Sequence, residues 1–100
     1  MHRDKKPKIL CVDDEKPNLT LLKRILEPEG YEFQGAGDGE TALALAAEGP
    51  PDLILLDVMM PGITGYEILK RLRGSEKTRL IPVVMITALS ETGDRIKALE

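Results

Sequence analysis

The feature that most constrains this chain is the alternation of apolar runs of strand length with segments of helical period. The apolar runs are Lys8 to Val12, Tyr31 to Ala36, Leu53 to Leu56 and Pro82 to Ile86. The first, third and fourth runs are apolar at nearly every position, as in strands covered on both faces, whereas the second is mixed and suits a sheet edge. This alternation predicts an α/β fold with a doubly wound parallel sheet and right-handed crossovers.

The segments between the runs have helix boundaries that can be predicted. Pro17 suits the first position of one helix, which Pro28 and Gly30 end, and Asp38 is the predicted N-cap of the next, which Gly49 ends. Thr64 to Glu67 forms a capping-box pattern at the start of a third helix, which Gly74 ends, and a fourth helix begins near Thr92 to Asp94. The predicted inward faces are Leu19, Leu22, Ile25 and Leu26; Leu43, Ala46 and Ala47; Ile68, Leu69 and Leu72; and Ile96 and Leu99.

Composition and charge exclude several classes of protein. Hydrophobic residues make up 42% of the chain and charged residues 31%, as in soluble globular domains, and no apolar run is long enough to cross a bilayer. The start, MHRDKKPK, lacks the apolar stretch of a secretory signal, so a cytoplasmic location is expected. With 17 acids, 14 bases and no basic block beyond the N-terminal tail, direct nucleic-acid binding by this domain is not expected. The single Cys11 lies in the first apolar run and is predicted to be a buried, inert thiol.

Acidic side chains follow two of the predicted strands. Asp13 and Asp14 follow the first strand, Asp57 ends the third, and Thr87 ends the fourth. Because the carboxyl ends of parallel strands meet at one edge of a sheet, these side chains are expected to converge. Taken alone, Asp13 and Asp14 equally suit a solvated loop or a helix cap.

Three converging carboxylates need compensation, either by a buried Lys or Arg or by a divalent cation. Hard oxygen ligands suit Mg²⁺, and no Cys or His is placed for a zinc site. Of these two, the residue types favour Mg²⁺ bound among Asp13, Asp14 and Asp57.

The set VDDE, LLDVMMPGITG and VVMITA resembles the receiver domain of two-component response regulators, from about Lys8 to the last residue, Glu100. The resemblance implies a flavodoxin-like sheet of five parallel strands in the order 2-1-3-4-5, with helices on both faces. The chain is expected to supply the order 2-1-3-4 and to end before the fifth strand and the last helix. Residues 1–7 are then an N-terminal tail, and residues 8–100 a receiver domain that is incomplete at its C-terminus.

The resemblance also implies a role for each site residue. Asp57 would be the phosphoacceptor for a histidine kinase or phosphotransfer protein, and Thr87 the switch hydroxyl. Asp14, Asp57 and the backbone carbonyl of Met59 would bind Mg²⁺, with Asp13 acting through a water. Such a module phosphorylates and dephosphorylates itself, is not a turnover enzyme, and serves an effector domain that the sequence does not identify.

The sequence departs from the family pattern at two places. The Lys that ends the family's fifth strand and the aromatic switch residue within that strand have no counterpart up to Glu100. Ile63 and Thr64 stand where many members have Met-Asp. If the chain ended at Glu100, the strand containing Val83 to Ile86 would be an exposed apolar edge, and self-association through it is expected.

Three other functions are alternatives to that of a phosphoacceptor. A haloacid-dehalogenase-like phosphatase needs a second acid two residues after its nucleophile, and that position is Met59. A flavodoxin-like cofactor binder needs a loop rich in hydroxyl groups and glycine after the first strand, and DDEKPN is negatively charged instead. A protein-interaction module that never takes phosphate remains open.

Overall fold

The computed structural model describes residues 5–86, and the elements follow the predicted alternation. Thr87 and the predicted fourth helix lie outside the described residues. The strands and helices are β1 (Lys8–Val12), α1 (Lys16–Leu26), a short 3-10 turn (Glu27–Glu29), β2 (Glu32–Ala36), α2 (Gly39–Glu48), β3 (Leu53–Asp57), α3 (Gly65–Arg73) and β4 (Val83–Ile86). No helix within residues 5–86 has the length and apolar character needed to span a membrane.

The four strands form one parallel sheet in the order β2-β1-β3-β4. The central pair is in register with Val12 beside Leu56, so β1 and β3 end at the same edge. The predicted doubly wound sheet, its strand order and the place of β2 at an edge are therefore confirmed.

The main core lies between one sheet face and the helices α2 and α3. Alternate residues of β1, β3 and β4 and two residues of each helix are buried in it. They are Leu10, Val12, Ile54, Leu56, Val83 and Met85 from the strands, and Ala42, Ala46, Ile68 and Leu72 from the helices. The opposite face carries Ile9 and Cys11, which are buried. Helix α1 packs on this second face, where a β-carbon at Gly35 would lie 3.6 Å from the Leu19 side chain.

Helix α1 differs from its prediction in its boundaries and its buried face. It begins at Lys16, one residue before Pro17, and ends at Leu26; the 3-10 turn follows, and Gly30 then takes a left-handed φ of 93°. Ile25 is 52% exposed, so its assignment to the inward face is wrong. The buried stripe is narrower than the sequence indicated: Leu19, Leu22 and Leu26 are half-buried, whereas Ile25 is exposed.

Helices α2 and α3 largely follow their predictions. Asp38 caps α2 by accepting a 2.8 Å hydrogen bond from the Thr41 backbone amide. In α2 the buried pair is Ala42 and Ala46, one turn apart, so Ala46 was placed correctly whereas Ala47 is exposed.

At the start of α3, the Thr64 hydroxyl accepts from the Glu67 amide at 3.2 Å, as predicted. The Glu67 carboxylate pairs at 3.3 Å with Arg71 one turn later, so only the Thr64 half of the capping box forms within residues 5–86.

Candidate functional site

The structure brings together the three acids that follow β1 and end β3. Asp13, Asp14 and Asp57 each offer a carboxylate oxygen, and these oxygens lie within 4.8 Å of one another. The common end of β1 and β3 produces this convergence, as the sequence predicted. Thr87 lies outside the described residues; the residue before it in the chain, Ile86, pairs with Asp57 across the sheet.

Asp13 is the buried member of this acid cluster, with 2% of its surface exposed. Its Oδ1 accepts a hydrogen bond of 2.9 Å from the Glu15 backbone amide, and its Oδ2 accepts one of 3.0 Å from the Asn18 side-chain amide. The backbone amide of Asp13 donates to the Ala36 carbonyl at 3.0 Å. A buried carboxylate is costly unless it accepts hydrogen bonds, and here both oxygens do so.

Asn18 was not singled out by the sequence analysis. The available signal was a polar residue next to Leu19 at the start of a leucine-rich helix. A pattern of hydropathy cannot show which side chain the amide reaches, so the contact with Asp13 emerges only from the fold.

The acids are not compensated by a basic side chain within residues 5–86. In that range the ion pairs are those of Arg71 with Glu40 and Glu67, both at 3.3 Å and both at the surface. Of the two means of compensation that the sequence left open, a Lys or Arg partner is therefore not found among the described residues.

Asp57 is the half-buried member of the acid cluster, and its pKa is raised from 3.8 to about 6. Burial is the largest cause, and the charge of Asp13 is next. The hydrogen bond of 3.1 Å from the Met59 amide to Oδ1 acts in the opposite direction, and Asp14 and Glu15 raise the pKa slightly further. The ionised form of Asp57 is therefore electrostatically disfavoured until positive charge reaches it.

Cys11 lies in β1, two residues before Asp13, and its thiol is unreactive. Its thiol is buried, and burial together with the charge of Asp13 raises its pKa to about 12. Since the thiolate is the reactive form, the prediction of an inert thiol is supported.

The loop after Asp57 holds the start of α3 against the end of β3. Gly62 adopts a left-handed φ of 81°, which favours glycine. The Gly65 amide then donates to the Val58 carbonyl at 3.1 Å. Met59, whose carbonyl was predicted to be a metal ligand, has 73% of its surface exposed, and its backbone amide donates to Asp57.

The acid cluster suits a hard divalent cation. It offers three carboxylates and no sulfur or nitrogen ligand. The exposure of these side chains increases from buried Asp13 through half-buried Asp57 to exposed Asp14. Mg²⁺ is held by one or two carboxylates and keeps water in its other positions, so an open face of this kind fits it.

Comparison with known proteins decides the family. The model of the response regulator receiver domain matches residues 9–100. The chain belongs to this family. Response regulator PleD of Caulobacter vibrioides is 54% identical over 93 residues, which cover 93% of this chain and 20% of PleD. The regulatory protein PhoP of Bacillus subtilis, named for alkaline phosphatase synthesis, is 46% identical over 93% of this chain and 38% of PhoP. The receiver chain thus spans about a fifth to two fifths of the length of these relatives.

Solved receiver structures show the same fold. The N-terminal domain of a response regulator receiver protein from Methanoculleus marisnigri JR1 superposes with a TM-score of 0.79 at 42% identity, over 81% of this chain and 66% of that one. Chemotaxis protein CheY4 of Vibrio cholerae gives 0.81 at 33% identity, over 90% and 75%. These similarities place the chain among the receiver domains of response regulators, in two-component signal transduction. They set aside the dehalogenase-like and flavodoxin-like alternatives.

Proposed function

We propose that this receiver domain accepts a phosphoryl group on Asp57 from a histidine kinase or a phosphotransfer protein. The observation that supports this most directly is the position of Asp57. Its carboxylate ends β3, is half open to solvent, and lies within 4.8 Å of Asp13 and Asp14 oxygens. An acid in this place is both reachable by a donor and surrounded by the ligands of a cation.

The chemistry asks little of the protein beyond positioning and neutralisation of charge. One carboxylate oxygen of Asp57 attacks the phosphorus atom, the bond from phosphorus to the donor's imidazole nitrogen breaks, and that nitrogen keeps the electron pair. With its pKa raised to about 6, Asp57 is still mostly ionised at neutral pH, and its oxygens are more basic than those of an ordinary aspartate. The Met59 amide holds one oxygen, Oδ1, at 3.1 Å and so fixes the rotamer of the side chain.

Mg²⁺ is the proposed cofactor. Asp14, Asp57 and the backbone carbonyl of Met59 would hold the ion, with Asp13 acting through a water. When bound, the ion supplies the positive charge that offsets both the acids and the incoming phosphoryl oxygens. Asp13 is kept in place by its own two hydrogen bonds, which leaves its remaining lone pairs available to the site.

The other assignments also remain proposals. Thr87 would be the switch hydroxyl, which its position after Ile86 supports, because Ile86 pairs directly with Asp57. Residues 1–7 would be a tail and residues 8–100 the receiver domain, working in the cytoplasm together with an effector domain. Among the relatives, one from Synechocystis is named a DNA-binding transcriptional regulator, and we propose that any DNA binding belongs to the effector and not to the receiver.

For a chain that ends at Glu100, self-association through β4 or by exchange of elements with a second copy is a further proposal. This strand stands at one end of the strand order of the described sheet, and its Val84 and Ile86 are half-buried. Apolar edge strands pair readily with other chains. Light scattering at micromolar concentration tests it: a dimer is expected, and a stable monomer would contradict it.

The proposed function is tested by incubating the chain with acetyl phosphate in the presence of Mg²⁺ or of EDTA. The intact mass is then measured. One added phosphoryl group is expected with Mg²⁺ and none with EDTA. A protein-interaction module that takes no phosphate would remain unmodified under both conditions.

A further inference from the structure

Asn18 is the one buried residue of α1. The six apolar residues of the helix are all half-buried or exposed: Pro17, Leu19, Leu21, Leu22, Ile25 and Leu26. Burying a polar amide where leucines were available costs free energy unless the amide is used. Its use is visible: Nδ2 donates a hydrogen bond of 3.0 Å to Oδ2 of Asp13, and both residues are buried.

Together with the Glu15 amide, the Asn18 amide holds the Asp13 carboxylate from the α1 side. The Glu15 backbone amide donates a hydrogen bond of 2.9 Å to Oδ1 of Asp13, and the Asn18 side-chain amide donates one of 3.0 Å to Oδ2. Each carboxylate oxygen can accept a further bond, and a carboxylate oxygen of Asp13 lies within 4.8 Å of oxygens of Asp14 and Asp57. The plane of the carboxylate is therefore set by α1 before any cation arrives.

The neutrality of the Asn18 amide matters as much as its position. A Lys or Arg at the same place would hold Asp13 equally well, but its charge would cancel part of the negative potential that attracts a divalent cation. An amide orients the carboxylate and leaves that potential in place. Groups that orient metal-binding side chains in this way commonly alter metal affinity by about 10- to 100-fold when they are removed.

We propose that Asn18 is a positioning residue of the cation site, which acts through Asp13 and binds neither the cation nor the phosphoryl group itself. This inference rests on the proposed function, because it takes Mg²⁺ to be the ion that the acids hold. It assigns to the first turn of α1 a part in the site, beside the loops that follow β1 and β3.

The test measures Mg²⁺ affinity directly, by calorimetric titration of the whole chain, and compares variants. Asn18→Leu keeps the side-chain size and removes the donor, and we expect its Mg²⁺ affinity to fall about tenfold. Asn18→Ala removes the donor without filling the space and should show the same loss. Leu22→Ala, one turn after Asn18 on the same helix and without a polar group, should lower stability and leave the affinity within twofold of the wild type.

A double-mutant cycle separates positioning from general stabilisation. If Asn18 acts through Asp13, then Asn18→Leu should have no further effect on Mg²⁺ affinity in an Asp13→Asn background. A role in packing alone would reduce stability in both backgrounds and affinity in neither.

Two outcomes overturn the inference while the proposed function stands. One is a wild-type chain that binds Mg²⁺ and is phosphorylated, with Asn18→Leu and Asn18→Ala binding equally well. The other is an equal loss of affinity from Asn18→Leu with and without the Asp13 carboxylate. If the wild-type chain itself shows no Mg²⁺ binding, the proposed cofactor role fails first, and the inference fails with it.

Discussion

Gly65 lies so close to Asp57 that a β-carbon at position 65 would stand 2.6 Å from the Asp57 carbonyl oxygen. The same β-carbon would lie 2.8 Å from the Cα atom of Val58. Both neighbours are backbone atoms at the end of β3, so neither can rotate away. The missing side chain at position 65 therefore allows the N-terminus of α3 to pack against the strand end that carries the proposed phosphoacceptor.

Gly65→Ala is predicted to destabilise the domain by about 1–3 kcal/mol, the usual cost of forcing an extra carbon into a packed site. Gly74→Ala is the matched control, since its β-carbon would lie in ordinary contact, 3.5 Å from the Lys70 carbonyl oxygen. Chemical denaturation measures both. Equal stability of Gly65→Ala and the wild type would show that the close approach at β3 is not as tight as described.

Asp57 is predicted to destabilise the metal-free protein as the pH rises. Its pKa is about 6 in the folded state against an ordinary 3.8, so folding favours the protonated carboxyl. Its favourable contribution is fully present below about pH 4 and is lost as the pH rises through about 6. Asp57→Asn should thus match the wild type near pH 4 and gain about 1 kcal/mol above pH 7. This figure is reduced for the solvent that reaches a half-exposed group.

Denaturation in EDTA across this pH range provides the measurement for Asp57→Asn. Glu29→Gln is the control, because Glu29 is an exposed acid in the turn after α1. Its stability should stay within about 0.5 kcal/mol of the wild type at every pH. A gain for Asp57→Asn that is the same at pH 4 and pH 7 would contradict the electrostatic account.

Hydropathy alone located the strands. β1 was predicted at Lys8–Val12 and is found there, and β3 is one residue longer than predicted because Asp57 continues the strand. Short, uninterrupted apolar runs between turn residues are typical of strands that are covered on both faces of a sheet, so the strands were easy to place. The convergence of the acids followed from the strand ends, because parallel strands share one carboxyl edge.

Side-chain detail was harder to predict from the sequence. Ile25 fits the helical period of α1 and is nevertheless exposed. The spacing of apolar residues shows which side of a helix faces the sheet, but it does not show how wide a strip of that side is covered. In α2 the direction of the stripe was itself misjudged: Ala42 is buried and was missed, and Ala47 is exposed and was wrongly placed. The bond from Asn18 to Asp13 depends on two rotamers in different elements, and no spacing rule encodes that.

Mg²⁺ is predicted to stabilise the folded chain through Asp14 and Asp57. A ligand that binds only the folded state adds about 1.4 kcal/mol at ten times its Kd, so the unfolding midpoint should rise with Mg²⁺ concentration at pH 7.5. Asp14→Asn should lose most of this rise, and Glu29→Gln should keep it. The rise should also shrink below about pH 6, as protonation of Asp57 competes with the cation. An Asp14→Asn chain that responds to Mg²⁺ like the wild type would remove Asp14 from the site.

The most direct test of the central claim is to locate the phosphoryl group itself. The chain is treated with acetyl phosphate and Mg²⁺, and the modified residue is mapped by peptide mass spectrometry, with hydroxylamine used to release an acyl phosphate. The matched variants are Asp57→Asn, which keeps the size of the side chain, and Asp52→Asn, an exposed acid that precedes the same strand. We predict a single hydroxylamine-sensitive modification on Asp57, retained in Asp52→Asn and absent from Asp57→Asn; modification that persists in Asp57→Asn would contradict the account.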